Sequence, residues 1–327
     1  MTSTPTDPTA AGGPRTQAGP RTQTGPRAHA GPPTPPTPAG PNVVALGGGH
    51  GLASTLRAAR RYAGEITAVV SVADDGGSSG RLRQVAGIPA PGDLRRCLVA
   101  MAEDDSLWSR AFEYRFPSGD LEGHALGNLL IAGLANVTGD FGQALHVAAS
   151  VLGSVGKVLP ATSVPVVLKA DVAGKEVVGQ VNVAESDGAI SSVSIVPPDA
   201  PVPDEVLEAI AEADQVVIGP GSLFTSVLAV CAVPGIRAAL AEQTKARVIY
   251  VCNLRPQQPE TANYTAADHL RAVLDHGVPV DVMVANAPER IAPGHTHGIP
   301  TVFAPISNDD ATAHDPGLLA LALRTLT

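Results

Sequence analysis

Val43-Val44-Ala45-Leu46-Gly47-Gly48-Gly49-His50-Gly51 reads as a short apolar strand that runs straight into a glycine-rich turn. Residues 52–62 then carry apolar side chains at helical spacing, with Arg57, Arg60 and Arg61 among the polar positions. The same strand–turn–helix order recurs twice. Residues 66–72 lead into Asp74-Asp75-Gly76-Gly77-Ser78-Ser79-Gly80, and residues 215–218 lead into Gly219-Pro220-Gly221-Ser222. Strands alternating with helices predict an α/β fold, a Rossmann-like, doubly wound, mostly parallel sheet. In such a sheet the carboxyl ends of the strands share one edge, where ligands bind. Glycine lets backbone N–H groups come close to a phosphate, and the helix that follows adds the positive end of its dipole. The three turns are therefore expected to line one anion-binding pocket.

Outward from these turns, the spacing predicts helices over 93–101, 107–114, 125–137 and 141–151. Residues 164–170, 176–183 and 189–196 are valine-rich and partly alternating, with Asp171-Val172-Ala173-Gly174-Lys175 as a turn. They predict a small antiparallel β insertion within about 160–198. Strand and helix alternate again over 215–218, 223–230, 247–252, 266–276 and 280–284, and a terminal helix is expected over 315–326. Residues 1–41 are different material: GPRTQ occurs twice, GPR a third time, and Pro and Thr follow. A segment with so little apolar surface is expected to be a disordered Pro/Gly/Thr-rich arm, leaving 42–327 as the α/β domain.

Composition narrows the function. The net charge of −9 argues against a general nucleic-acid binder. Cys97, Cys231 and Cys252 are unpaired in spacing and form no metal pattern, which fits a reduced cytoplasmic setting. No charged-then-apolar leader opens the chain, and no apolar stretch nears the roughly 20 residues of a bilayer span. A homo-oligomer stays open. The strings GxxxxGK[ST] and HExxH are missing, which disfavours a P-loop ATPase and a zinc protease.

The candidate site residues fall in the turns. Gly48, Gly49 and His50 would approach a phosphate, but Leu52 stands where the dinucleotide fingerprint needs its third glycine, so NAD or FAD is disfavoured. Asp74 and Asp75, at a strand end, could bind ribose hydroxyls or a divalent cation such as Mg2+, or act as a general base. Gly76, Gly77 and Gly80 free the backbone, Ser78 and Ser79 offer hydroxyls, and Arg81 and Arg83 supply phosphate-pairing cations. Asp93 is a plausible N-cap, and Arg95 or Arg96 could face the pocket or solvent. His124 and Asn128 lie one helical turn apart, and Gly127 would permit close packing or ligand approach. Gly219, Pro220, Gly221 and Ser222 complete the phosphate candidates, with Ser222 a natural N-cap. Asn253 and Asn286 end two further strands, where side-chain amides could read a base or sugar. His269, His295 and His297 carry no useful spacing.

Taken in order, GGGHGL, DDGGSSGRLR, GDLRRCL, HALGNLL and IGPGSLFTS resemble the gluconeogenesis-factor (YvcK-like) family, within the superfamily of CofD, the 2-phospho-L-lactate transferase. The resemblance runs from about residue 42 to the C-terminus and includes the strand end YVCNL and the closing HDP. It implies a Rossmann-like fold, a cytoplasmic protein, and binding of UDP-sugars such as UDP-N-acetylglucosamine. It also implies a role in growth on gluconeogenic carbon sources and in cell shape and peptidoglycan synthesis. Carried over, the nucleotide contacts would fall on Gly48, Gly49 and His50, on residues 74–81 and on residues 219–222. CofD-type transferases have an aspartate-rich proline motif where this chain reads Pro91-Gly92-Asp93-Leu94-Arg95-Arg96, which leaves a magnesium-dependent transfer of phosphate-linked groups as the alternative.

Overall fold

A computed structural model describes residues 40–287 and 297–327. All but the last two residues of the expected arm, and His295, therefore lie outside the described residues. The first half of the chain runs β1 (Asn42–Gly47), α1 (Gly49–Ala59), β2 (Glu65–Val70), α2 (Gly77–Ala86), α3 (Pro91–Ala100), α4 (Leu107–Glu113), α5 (Leu126–Thr138), α6 (Phe141–Leu152) and β3 (Lys157–Pro160). An insertion follows, with β4 (Val167–Val172), β5 (Lys175–Val178), α7 (Gln180–Ala184) and β6 (Ile190–Val196). The chain then returns through α8 (Asp204–Glu212) and β7 (Gln215–Ile218) to a π-helical turn, Leu223–Val227, that continues as α9 (Leu228–Cys231). It closes with α10 (Pro234–Glu242), β8 (Arg247–Val251), α11 (Ala266–Asp275), β9 (Val282–Asn286), β10 (Thr301–Ala304) and α12 (Pro316–Arg324).

Seven strands form one sheet in the order β10-β9-β8-β7-β1-β2-β3, every neighbouring pair parallel. The order reverses between β1 and β7, which pair Val43 with Gln215 through Leu46 with Ile218. Crossovers are right-handed, and those leaving β1 and β7 travel in opposite directions, so their helices cover opposite faces. That reversal is the place where two turns splay apart and leave a crevice. The strands at the reversal are apolar and fully enclosed, as a sheet covered on both faces requires: Ala45, Leu46, Val216, Val217 and Ile218 are all 0% exposed. Gln215 is the buried exception, and its amide is used. It accepts from the Tyr62 hydroxyl and donates to the Leu323 carbonyl at 3.0 Å, tying the strand to α12 and to the end of α1.

The insertion is a separate antiparallel sheet in the order β5-β4-β6. The expected strand over 176–183 is only half right. β5 stops at Val178, and Gly179, at φ 101, turns the chain into α7 instead. The edge strands β3 and β10 have four residues each and gave too short an apolar pattern to stand out. Among the described residues no single helix is long and apolar enough to cross a membrane.

Candidate functional site

The three glycine-rich turns are neighbours. A Cβ on Gly51 would lie 2.2 Å from the Pro220 carbonyl oxygen, and one on Gly221 would lie 3.5 Å from the Gly48 oxygen. A Cβ on Gly92, at the start of α3, would lie 2.2 Å from Ser79 Oγ and 3.4 Å from Asp74 Oδ2. A Cβ on Gly48 would meet Asp93 Oδ2 at 2.6 Å. The first turn thus touches both the third turn and α3, and α3 touches the second turn. Beside them lies a cavity of about 340 Å³, lined by His50, Gly51, Ser54, Pro220, Gly221, residues 253–257 and residues 312–314.

The donors in the three turns differ in what is left free. The first N–H groups of α1 and α2 have no intrahelical partner, and neither helix has a side-chain N-cap: Gly48 and Gly76 occupy those positions. The third turn is already satisfied. Glu260, 7% exposed, accepts from the N–H groups of Phe224 at 2.6 Å and Thr225 at 2.9 Å, and burial raises its carboxyl above the usual range. A carboxylate from a distant loop therefore sits where an incoming anion would, and Ser222 makes no capping bond. Asn253 does not read a base: its Oδ1 accepts from Gly221 N–H at 3.0 Å and its Nδ2 donates to the Gly221 carbonyl at 2.8 Å. Asn286 is likewise spent, accepting from Ile306 N–H at 3.0 Å. Of these three helix starts, those without a side-chain cap from their N-cap residue and without Glu260 are α1 and α2, while Pro220 and Gly221 of the third turn line the cavity.

The acidic groups also sort themselves. Asp74 Oδ1 accepts from Gly76 N–H at 2.9 Å, which holds the turn in shape. Asp75 was expected beside Asp74 in the pocket, but both its oxygens face the insertion. Oδ2 accepts from Gln180 N–H at 2.9 Å and Oδ1 from Val181 N–H at 3.0 Å. Asp75 is therefore a cap for α7, because two backbone donors satisfy its carboxylate better than an open cleft would. Asp93 is the second carboxylate of the site. It is no N-cap, since α3 begins at Pro91 behind Ala90. It pairs with Arg96 at 2.7 Å and takes the Gly49 N–H. Burial raises its carboxyl, and the nearby Asp74 charge raises it further, against the pull of Arg96. Desolvation and the Arg96 guanidinium hold His50 below the ordinary imidazole range.

Behind the second turn lies a buried polar chain. Ser78 Oγ meets His124 Nδ1 at 3.0 Å and accepts from Asn128 Nδ2 at 3.1 Å. Asn128 Oδ1 accepts from Arg95 Nε at 3.1 Å, and Arg95 Nη1 donates to the Phe112 carbonyl at 3.2 Å. Ser78, His124, Asn128 and Arg95 are at most 9% exposed, so the expected contacts of Ser78 and Asn128 are supports for the turn. Burial lowers the Arg95 guanidinium to about 10. His124 precedes α5 and reaches Ser78 all the same. A Cβ on Gly127 would press on the Phe112 ring at 2.7 Å and Arg95 Cδ at 2.8 Å, so this glycine serves packing. Arg81 is tied to the Glu122 carbonyl at 2.9 Å and is solvent-exposed.

Among the described residues no group of three or more His, Cys, Asp or Glu side chains could hold a metal ion. Mg2+ needs fewer protein ligands, since it keeps several waters and is held by one or two carboxylates plus substrate phosphates. Asp75, whose two oxygens are taken by the N–H groups of Gln180 and Val181, is not free for that role.

The chain matches the family described as 2-phospho-L-lactate transferase CofD over residues 43–298. A gluconeogenesis factor from Halalkalibacterium halodurans is 46% identical over 252 residues, covering 76% of this chain and 78% of that one. A Mycobacterium tuberculosis protein carrying the same family name is 41% identical over 304 residues, covering 86% and 89%. The crystal structure of a UPF0052-family protein from Bacillus halodurans superposes with a TM-score of 0.84 at 39% identity, over 88% of this chain and 99% of the other. With long matches in sequence and in fold, the chain belongs to the gluconeogenesis factor family, built on a CofD-type domain.

Proposed function

We propose that the chain is a UDP-sugar-binding factor, with UDP-N-acetylglucosamine as the ligand type, acting in growth on gluconeogenic carbon sources and in cell shape and peptidoglycan synthesis. One observation carries the reading: the starts of α1 and α2, whose own N-cap residues Gly48 and Gly76 offer no side-chain cap, are joined through α3, and the start of α1 lines a cavity of about 340 Å³ at the reversal of strand order. The pyrophosphate would lie across the free N–H groups of residues 50–51 and 77–79, and the nucleoside would enter the cavity. Arg96 and neutral His50 flank the first turn and suit a ligand rich in acceptor oxygens. Isothermal titration of UDP-N-acetylglucosamine into the protein tests this. One saturable site is expected, weakened at least tenfold by Gly48→Val, and no binding at millimolar ligand refutes it.

A second reading, magnesium-dependent transfer of a phosphate-linked group, is favoured by the placing of Asp74, whose Oδ2 would stand 3.4 Å from a Cβ on Gly92, next in the chain to Asp93. Two carboxylates beside two anion cradles would repel a diphosphate unless a cation lay between them. Mg2+ held by Asp74 and Asp93 would supply that positive charge and polarise a phosphoryl oxygen. Mass spectrometry of products after incubation with nucleotide donors, with and without Mg2+, separates the readings. A product lost in Asp93→Asn favours the transferase, and its absence leaves the binding factor.

A further inference from the structure

We propose that Asp75 is a positioning residue that couples occupancy of the turn over residues 74–80 to the docking of the three-stranded insertion. The inference rests on the reading above that an anion sits at residues 77–79. Neighbouring carboxylates face opposite ways: Asp74 closes the turn on Gly76, while Asp75 grips Gln180 and Val181 with both oxygens. The grip leaves no slack. A Cβ on Gly179 would stand 2.8 Å from Asp75 Oδ2, one on Gly80 would stand 1.9 Å from the Asp75 carbonyl oxygen, and one on Gly76 would stand 3.1 Å from Val181 Cγ2. Asp75 is thereby pressed between α2 on one side and α7 on the other.

A second contact, independent of the first, leads to the same place. Arg83, further along α2, donates to the Val166 carbonyl at 2.5 Å, just before β4 begins. The helix whose first N–H groups form the proposed cradle and the turn before it thus hold the insertion at one point each. The insertion shares no ladder with the seven-stranded sheet. Among the described residues a further polar anchor is His276, which caps the C-terminal end of α11 and accepts from Val193 N–H at 3.2 Å. α7 also packs against the π-helical turn that follows residues 219–222. An anion that draws on the N–H groups of residues 77–79 fixes the first turn of α2, and with it the peptide that carries Asp75. The insertion is then held more firmly when the site is filled, and offers a surface that reports the ligand.

Hydrogen–deuterium exchange of the full chain, with and without UDP-N-acetylglucosamine, reads both segments at once. In the parent, ligand should slow exchange over 77–80 and, over the same titration, slow 178–184 by about five-fold. Asp75→Ala should keep the first effect and lose the second. If that variant does not fold, Asp75→Asn, which keeps one acceptor oxygen, should show the second effect reduced by about half. Protection over 77–80 with 178–184 unchanged in the parent overturns the coupling alone. No protection in either segment overturns the binding reading and the coupling together. Full protection of 178–184 in the folded variants shows that Asp75 is not the link.

Discussion

Gly51→Ala and Gly133→Ala are the same chemical change inside two helices, and the structure gives them opposite signs. Gly51 lies in the first turn of α1, where an added methyl would stand 2.2 Å from the Pro220 carbonyl oxygen and 2.6 Å from its carbon. Ordinary contact begins near 3.4 Å, so the turn over 219–222 must retreat by about 1.2 Å (3.4 minus 2.2). That turn cannot yield freely, because Asn253 clamps Gly221 and Thr55 Oγ1 donates to the Gly219 carbonyl at 2.9 Å. Overpacking of this kind costs about 1–3 kcal/mol, or more against backbone, and the helix propensity gained returns about 1 kcal/mol. Because the clash is with backbone, the upper end of about 3 kcal/mol applies, and the expected net loss is about 2 kcal/mol (3 minus 1). Gly133 is exposed in mid-α5 with nothing within 4 Å of its would-be Cβ, so alanine there should add about 0.5–1 kcal/mol. Urea unfolding of the parent and both variants, followed by far-UV circular dichroism, measures the pair. A Gly51→Ala protein as stable as the parent would refute the backbone-on-backbone contact of the first and third turns.

Other perturbations test the supports of the site. Glu260→Ala strands two buried donors and should cost about 3 kcal/mol in urea unfolding, while Glu260→Gln, which keeps an acceptor, should cost about 1 kcal/mol; equal losses would show that the capping bonds do not matter. Asn128→Ala leaves Arg95 Nε and Ser78 Oγ short of a partner and should lower stability by about 2 kcal/mol; a neutral result would mean that the buried chain is not cooperative. His314 is 8% exposed, and burial lowers it to about 4, so the unfolded chain takes up its proton near pH 6.5 and the folded chain does not. Its contribution is present above pH 6.5 and is lost as pH falls toward 4, by up to about 3 kcal/mol. The raised carboxyls of Asp93 and Glu260 act with the opposite sign and cancel in a parent-minus-variant difference. His314→Gln should therefore lose less stability than the parent between pH 7 and pH 4.5, and identical losses would contradict the assignment.

Much of the architecture is legible in the residues because it depends on local patterns. Val43 to Leu46 and Gln215 to Ile218 are short apolar runs with a glycine at the end, and such runs in an alternating chain have few places to go except a parallel sheet. Helix ends are legible for the same reason: Gly139 and Gly153 take left-handed C-caps at φ 70 and φ 64, and Thr265 with Asp268 forms a capping box. What stays hidden is the destination of a side chain. Asp74 and Asp75 are chemically alike and adjacent, yet only the fold decides that one looks inward and the other caps α7. Ser222 has the residue type of an N-cap and makes no capping bond, because Glu260, 38 residues away in the chain, reaches the same helix start. Asp93 had a local signal as a helix-start acid, but its role at Gly49 and Arg96 depends on how α3 meets α1. The strand break at Gly179 carried a readable cue, a glycine inside a valine-rich run, whose positive φ turned it into a helix start.

Crystals grown or soaked with UDP-N-acetylglucosamine give the most direct test. The ligand's pyrophosphate should lie within hydrogen-bonding distance of the N–H groups of residues 50–51 and 77–79, with the uridine in the cavity between His50 and residues 253–257. Ligand density against the turn over 219–222 alone, or elsewhere on the molecule, would contradict the account.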